Sequence, residues 1–234
     1  MASLDIIELN EKNAWNNIPG QKTTQGGEIF NNLTSNKAVA NYSHAEGSET
    51  IAYAIASHAE GEGKKLCNIN LTGDANSTTY KGTISNTQTN LKYVHIGNLV
   101  RYNNIYAKII GVNVPEGIIT VDKTLSTTAI SNATAGLYSG ATGYGSHVEG
   151  YISTASGGYS HAEGYDTLAS GDYSHAEGYY TTASGDTSHA EGRGSIAEGE
   201  YSHAEGYYTT ASGDYSHAEG WKTTASGDYS HAEG

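Results

Sequence analysis

Ser-His-Ala-Glu-Gly begins at Ser43 and Ser57, and again at Ser160, Ser174, Ser188, Ser202, Ser216 and Ser230, with a Val148 variant beginning at Ser146. Within each block the interval is 14 residues without slippage. The second half of the period repeats as well, in Thr181–Gly185, Thr209–Gly213 and Thr223–Gly227. The unit is S-H-A-E-G-x-x-[ST]-x-A-x-G-x-x, and a fixed period of this kind means stacked, nearly identical supersecondary units.

Small residues occupy alternate positions of each half: Ser174, Ala176 and Gly178, then Thr181, Ala183 and Gly185. Period two predicts strands, with the small side chains all on one face. Two short strands and two corners complete a turn, and stacked turns make a parallel coil with rungs about 4.8 Å apart. An inner face of Ala, Ser, Thr and Gly requires the two sheets to approach closely. This resolves a paradox of composition. Leu, Ile, Val and Phe number 35 of 234 residues and the net charge is -13, a profile that by itself reads as disordered. The 19 tyrosines and only 2 prolines argue otherwise. One aromatic column runs Tyr151, Tyr165, Tyr179, Arg193, Tyr207, Trp221, and another runs Tyr159, Tyr173, Thr187, Tyr201, Tyr215, Tyr229. Rungs at this spacing let the rings stack, adding about 0.5–1.5 kcal/mol per pair.

The pattern S-x-A-x-G-x-x-S-x-A-x-G-x-x resembles the head repeat of YadA-type trimeric autotransporter adhesins. In its S-H-A-E-G form it is similar to tail and fibre proteins of phages and prophages of Gram-positive bacteria. The resemblance covers residues 36–61 and 132–234. It implies an all-β fold, a left-handed parallel β-roll solenoid of 14-residue turns assembled as a homotrimer. Where the adhesin pattern places Val and Ile toward the trimer axis, this chain has His and Glu.

The repeat is interrupted after Gly61 and is expected to resume at Asn132–Gly136, with Ser139, Ala141 and Gly143 in second-strand slots. Residues 62–131 hold 7 of the 12 bases against 4 acids, and so differ in charge from the acidic flanks. They are predicted to form a small inserted β domain with strands at Leu66–Thr72, Thr78–Ile84, Tyr93–Tyr102, Ile105–Val114 and Ile118–Leu125. Pro115-Glu116-Gly117 supplies a hairpin turn. The organisation is therefore an N-terminal segment and cap at 1–35, a first roll block at 36–61, the insert at 62–131 and a second roll block at 132–234. Leu4–Leu9 is a short helix or strand, and Ile29, Phe30 and Leu33 are bulky enough to cover the first rung. Gly234 ends a Ser-His-Ala-Glu-Gly strand with nothing to cover it, so the chain is expected to be the front part of a longer protein.

The recurring polar pair is the main candidate site. It comprises His44/Glu46, His58/Glu60, His147/Glu149, His161/Glu163, His175/Glu177, His189/Glu191, His203/Glu205, His217/Glu219 and His231/Glu233. Imidazole and carboxylate are zinc and nickel ligands. Repetition nine times over suits a ladder of His–Glu hydrogen bonds between subunits instead, so no metal and no cofactor are expected. Such a ladder would raise each His pKa through its Glu partner. No catalytic residue is expected either, because repetition on a flat sheet offers no pocket and no single perturbed pair. The aromatic columns could serve as a sugar-binding strip but fit corner packing better. The Thr-x-Ser array on the second strand would suit an ice-binding face, but Leu168, Ile196 and Glu198 break it. Cys67 is a single thiol, most simply a small buried residue, and excludes a disulfide framework.

The acidic balance argues against nucleic acid as a partner. No apolar run approaches a membrane span, and residues 1–25 lack a basic segment leading into an apolar one. The reading is a non-enzymatic structural and adhesive component of a phage or prophage tail, located on the virion, with the roll as a rigid spacer. Lys81, Lys92, Arg101 and Lys108 of the insert are candidate contacts to a host cell-surface glycan or protein. The N-terminal segment would join other tail proteins. The alternative is the head of a bacterial cell-surface adhesin, extracellular by definition.

Overall fold

The computed structural model describes residues 21–22, 28–29, 36–47, 50–61, 65–84, 94–103 and 105–234. Among them the regular elements are all strands, and no helix is long and apolar enough to cross a membrane. The expected opening element at Leu4–Leu9, the cap residues Phe30 and Leu33, Lys92 and the side chain of Cys67 lie outside the described residues.

Two parallel sheets form a solenoid with 14-residue spacing. The first contains the Ser-His-Ala-Glu-Gly strands, such as His161–Tyr165, His175–Tyr179 and His203–Tyr207. The second contains the two-residue strands Thr154–Ala155, Leu168–Ala169, Thr182–Ala183 and their counterparts. Register is like over like: His161 pairs with His175, Ala162 with Ala176, Glu163 with Glu177. The alternation read from the sequence is met, since the Ala column from Ala38 to Ala225 is buried while His and Glu face outward and are half-buried.

Ser closes one corner. Its buried hydroxyl donates to the glycine carbonyl three residues back, as in Ser174 Oγ to Gly171 O at 2.6 Å and Ser188 Oγ to Gly185 O at 2.6 Å. Each turn also places non-glycine residues in the left-handed region: Tyr173 at φ 59° in one corner and Tyr180 at φ 59° in the other. Such a conformation costs about 1–2 kcal/mol for an L residue. Two contacts between turns offset it. The Tyr173 amide donates to Gly158 O at 2.8 Å and that of Tyr180 to Tyr165 O at 2.9 Å. The rings then meet their neighbours, Tyr159 stacking on Tyr173 at 5.3 Å and Tyr180 meeting Tyr165 edge to face at 5.6 Å. Arg193 takes a tyrosine's place in its column, its guanidinium 5.2 Å from the Tyr179 ring and 5.5 Å from that of Tyr207. Asp adds another ladder, the Asp172 amide donating to Asp186 Oδ1 of the next turn at 2.9 Å.

Two glycine positions set how closely turns approach. Gly178 has φ +108°, and a Cβ there would lie 2.2 Å from the carbonyl oxygen of Gly192. A Cβ on Gly185 would lie 2.0 Å from the carbonyl oxygen of Gly199.

The insert is a closed antiparallel barrel of strands Lys65–Gly73, Thr79–Ile84, Leu99–Tyr102, Ile105–Asn113, Ile118–Val121 and Ile130–Tyr138. Gly117, at φ 65°, turns the hairpin between Asn113 and Ile118. The barrel extends further than the sequence boundary at residue 132. Ile130–Tyr138 pairs antiparallel with Lys65–Gly73, with Ala135 opposite Ile69, and the roll resumes at Gly140–Ala141. Asn132–Gly136 alternates small residues as the repeat does, but any half-buried strand has that period, so alternation alone does not distinguish the two. Beneath the barrel the roll closes on itself: His58 pairs directly with His147, and Ala52 with Ala141.

Candidate functional site

Every His of the repeat leaves the first sheet on its outward face, one strand spacing from the next, and the imidazoles stack in a column. His161 and His175 have centroids 4.8 Å apart and an interplanar angle of 5°; His175 and His189 are 4.8 Å apart at 1°. The His44–His58 pair departs from this, meeting edge to face. Stacking covers the ring faces. Among the described residues, Nε2 of His58, His147, His161, His175, His189 and His203 is buried and has no hydrogen-bond partner.

The glutamates form a second column beside the rings. His and Glu approach within one strand at 3.4 Å (His44–Glu46), 3.6 Å (His58–Glu60), 3.7 Å (His161–Glu163) and 3.9 Å (His175–Glu177). Farther along, His contacts the Glu of the preceding turn: His203–Glu191 at 3.9 Å, His217–Glu205 at 3.3 Å and His231–Glu219 at 3.4 Å. These contacts are all made within one chain. A strand spacing of 4.8 Å lets one chain supply both partners.

On the last strand His231 meets Glu219 of the preceding turn and not Glu233 of its own strand. Glu233 stands in register with Glu219 but is exposed. The reason is the switch in partner along the column. Once each His takes the Glu of the turn before it, Glu233 is left without a His among the described residues. His203 and His217 likewise approach the Glu of the preceding turn, Glu191 and Glu205.

Burial, then the neighbouring rings, lowers the pKa of His58, His161 and His203 below the ordinary 6.5. This reverses the upward shift expected from the Glu partners, whose attraction is the smaller effect. The carboxyls lie close enough to share protons. Hydrogen bonds from Glu149 and its neighbours push Glu60 and Glu163 up to about 7. The same bonds hold Glu46, Glu149 and Glu177 below the usual carboxylate range. A groove of about 590 Å³ runs along this edge, lined by Glu46, Glu60, Glu149, Glu163 and the adjoining glycines.

The basic residues of the barrel divide. Lys108 is half-buried: its Nζ donates to Thr142 O at 3.1 Å and Ser156 O at 2.8 Å, fastening the barrel to the second sheet, and burial lowers its pKa. It is therefore engaged within the chain. Arg101 lies 5.5 Å from the Tyr106 ring and hydrogen-bonds Tyr138, so it too is engaged internally. Lys81 is exposed, beside a groove of about 500 Å³ that Thr72, Asp74, Ile118 and Ile130 also line.

Sequence reasoning missed the docking contacts. Tyr53 OH donates to Asp122 Oδ2 at 2.9 Å, Asn98 Nδ2 to Thr154 Oγ1 at 3.2 Å, and Thr142 Oγ1 to Gly97 O at 2.9 Å. The one available signal was that Thr142, Thr154 and Ser156 sit on outward slots nearest the insertion point. The tyrosine columns stack ring on ring, which leaves edges, not faces, open to solvent. This favours the corner-packing reading over a sugar strip.

Fold and face together define a repeat protein of the parallel β-solenoid class. A family model for the YadA head domain repeat matches residues 176–202 in two copies, and the repeat of this chain is a YadA-type head repeat. No curated protein and no solved structure matches the chain.

Proposed function

We propose that this chain is a non-enzymatic, homotrimeric adhesive component of a phage or prophage tail, with the roll as stiff spacer and the barrel as host-contact domain. The observation that carries this reading is the placement of the barrel. Lys108, Asn98 and Asp122 hold it on the outward face of the second sheet, so the His/Glu face of the first sheet is left for self-association. A thin roll with an alanine interior buries little apolar area alone and gains most from lateral packing. Among the described basic candidates Lys81, Arg101 and Lys108, Lys81 and its groove then make the better receptor candidate. Repetition of the titratable groups along an open face supports a binding role over a catalytic one. The head of a cell-surface adhesin is the second reading, favoured by the YadA head match itself. Either reading makes the chain an extracellular or surface component.

The test combines light scattering with whole-cell and glycan binding. A mass of about three chains of 24.6 kDa is expected. Removing residues 62–136 returns Ser146 to 14 positions after Ser57, so this deletion should keep the roll and abolish cell binding. A monomer at micromolar concentration would sink the assembly reading; undiminished cell binding by the deletion would sink the role of the barrel. Tail and lysis genes beside the open reading frame support the phage setting, whereas an encoded coiled-coil stalk and anchor barrel support the cell-surface one.

A further inference from the structure

We infer that the His/Glu face is a row of divalent transition-metal sites of the zinc class, each built from side chains of two successive turns. The argument starts from what the hydrogen-bond ladder fails to do. Hydrogen bonds of His to Glu form at His217–Glu205 and His231–Glu219, at 3.3 and 3.4 Å. Elsewhere Nε2 atoms of six histidines are buried without a hydrogen bond among the described residues, and where a carboxylate is near it stands at 3.6–3.9 Å. Leaving so many buried ring nitrogens unsatisfied is costly, on the order of 1–3 kcal/mol each.

The spacing of these groups suits a different occupant. Ligands about 2.0–2.2 Å from a tetrahedral ion stand about 3.4 Å from one another. The His–Glu separations of 3.6, 3.7 and 3.9 Å at His58, His161 and His175 are long for hydrogen bonds and close to that value. The ligand atoms of His161, Glu163 and His175 all lie within 4.8 Å of one another, as do those of His58, Glu60 and His147 and those of Glu177, His189 and Glu191, so the ring of the adjoining turn has to draw in to about 3.4 Å from its fellow ligands to complete each site. Two imidazoles and a carboxylate, or the reverse, select zinc, cobalt or nickel over the all-oxygen preference of calcium and magnesium. The Asp column makes a useful contrast: Asp172, Asp186, Asp214 and Asp228 already accept backbone amides through Oδ1. The ninefold repetition that argued against a metal centre in the sequence argues here only against nine simultaneous ions. Neighbouring triplets share residues, and dications one rung apart repel, so filling of alternate turns, about four ions per chain, is expected.

The experiment uses the full chain, stripped with chelator, exchanged into micromolar zinc and passed through gel filtration for elemental analysis. Light scattering on the same samples reports assembly separately, so stoichiometry per chain is read whether or not the chain is a trimer. Several zinc ions per chain are expected. Two variants are compared, one with His161, His175, His189 and His203 changed to Gln, the other with Glu163, Glu177 and Glu191 changed to Gln. Each should lose about half of the bound zinc, since it removes ligands from about half of the turns. Less than one ion per wild-type chain, or equal retention by folded variants, overturns the inference. Should both variants misfold, wild-type protein decides: zinc must protect the column histidines from diethyl pyrocarbonate, and unprotected rings at saturating zinc overturn the inference too.

Discussion

In the roll the buried column is alanine from Ala38 to Ala225, broken only by Val148; in the barrel, Ile69, Leu71, Tyr80, Ile109, Ile119 and Leu137 fill the interior. The barrel follows the familiar route, in which each large side chain removed from water contributes about 1.5–3 kcal/mol. Alanine contributes one methyl per position, so the roll must derive its order from contacts between turns: backbone ladders, Ser-closed corners and stacked rings. The comparison teaches that a dry interior can be specified by how large its side chains are or by how small they must remain. The two regions should therefore fail in opposite ways.

Enlargement should harm the roll most. Gly178→Ala would set a Cβ against a backbone oxygen that cannot move without shifting the next turn, and the φ of +108° suits only glycine. We expect a loss of more than about 4 kcal/mol, seen as proteolytic cleavage near that turn with the barrel still intact. Wild-type resistance in this variant would mean that turns are less tightly seated than their carbonyl contacts indicate. Truncation should harm the barrel instead. Leu71 is fully buried, and Leu71→Ala should cost about 2–5 kcal/mol, read as earlier hydrogen exchange across Ile69–Leu71 without change at Ala183. Equal loss in both regions would show that they unfold as one unit.

The junction comes next in size. Lys108→Met removes the charged donor to Thr142 O and Ser156 O, and should weaken docking by about 1.5–3 kcal/mol. Faster exchange confined to Gly97–Lys108 and Thr142–Ser156 is the expected signature. Unchanged exchange there would assign docking to Tyr53 and Asn98.

The smallest effect is that of pH, because opposing shifts share one face. His58, His161 and His203 resist protonation when folded, so their contribution is lost as pH falls below 6.5. Glu60 and Glu163, raised to about 7, bind protons in the folded state between pH 7 and 4.5, so stability rises as pH falls through that window. The two trends offset, and the melting temperature should be nearly flat from pH 7 to 5. Below pH 4.5, protonation of Glu46, Glu149 and Glu177 removes the help of their lowered pKa values, and stability drops. Replacing His161 and His203 by Gln should expose the Glu trend, so that melting temperature climbs on going from pH 7 to 5. A fall in that variant would contradict the shared-proton column.

The parallel solenoid, its 14-residue turn and the inward Ser, Ala and Gly were legible because the same residues recur at the same phase. The outward placement of His and Glu was legible from period two. What each pair does was not, since one-residue spacing does not say whether Nε2 meets the Glu of its own strand or that of the preceding turn. Glu233 shows the consequence: its sequence neighbour His231 is two residues away, yet the ring meets Glu219. The lowered pKa of His58, His161 and His203 was not legible, because burial in the column, and after it the neighbouring rings, arise only when turns stack. The end of the barrel at Tyr138 was hidden by small residues shared between repeat and strand. Lys108 reads in sequence as one base among seven, and only the folded barrel shows it facing the roll.

The glycine contacts between turns also bear on how such a chain can change over generations. The missing side chain of Gly178 is the space that the Gly192 backbone occupies, and the same holds for Gly185 and Gly199. An insertion or deletion of a few residues would bring a side chain into one of those spaces and misalign every later column. Gain or loss of a whole unit disturbs nothing, because each new turn meets neighbours identical to the old ones. Length in this molecule therefore varies in steps of one rung, about 4.8 Å. The roll is a ruler graduated by duplication, and the distance at which the chain holds its barrel is open to selection without any redesign of its contacts.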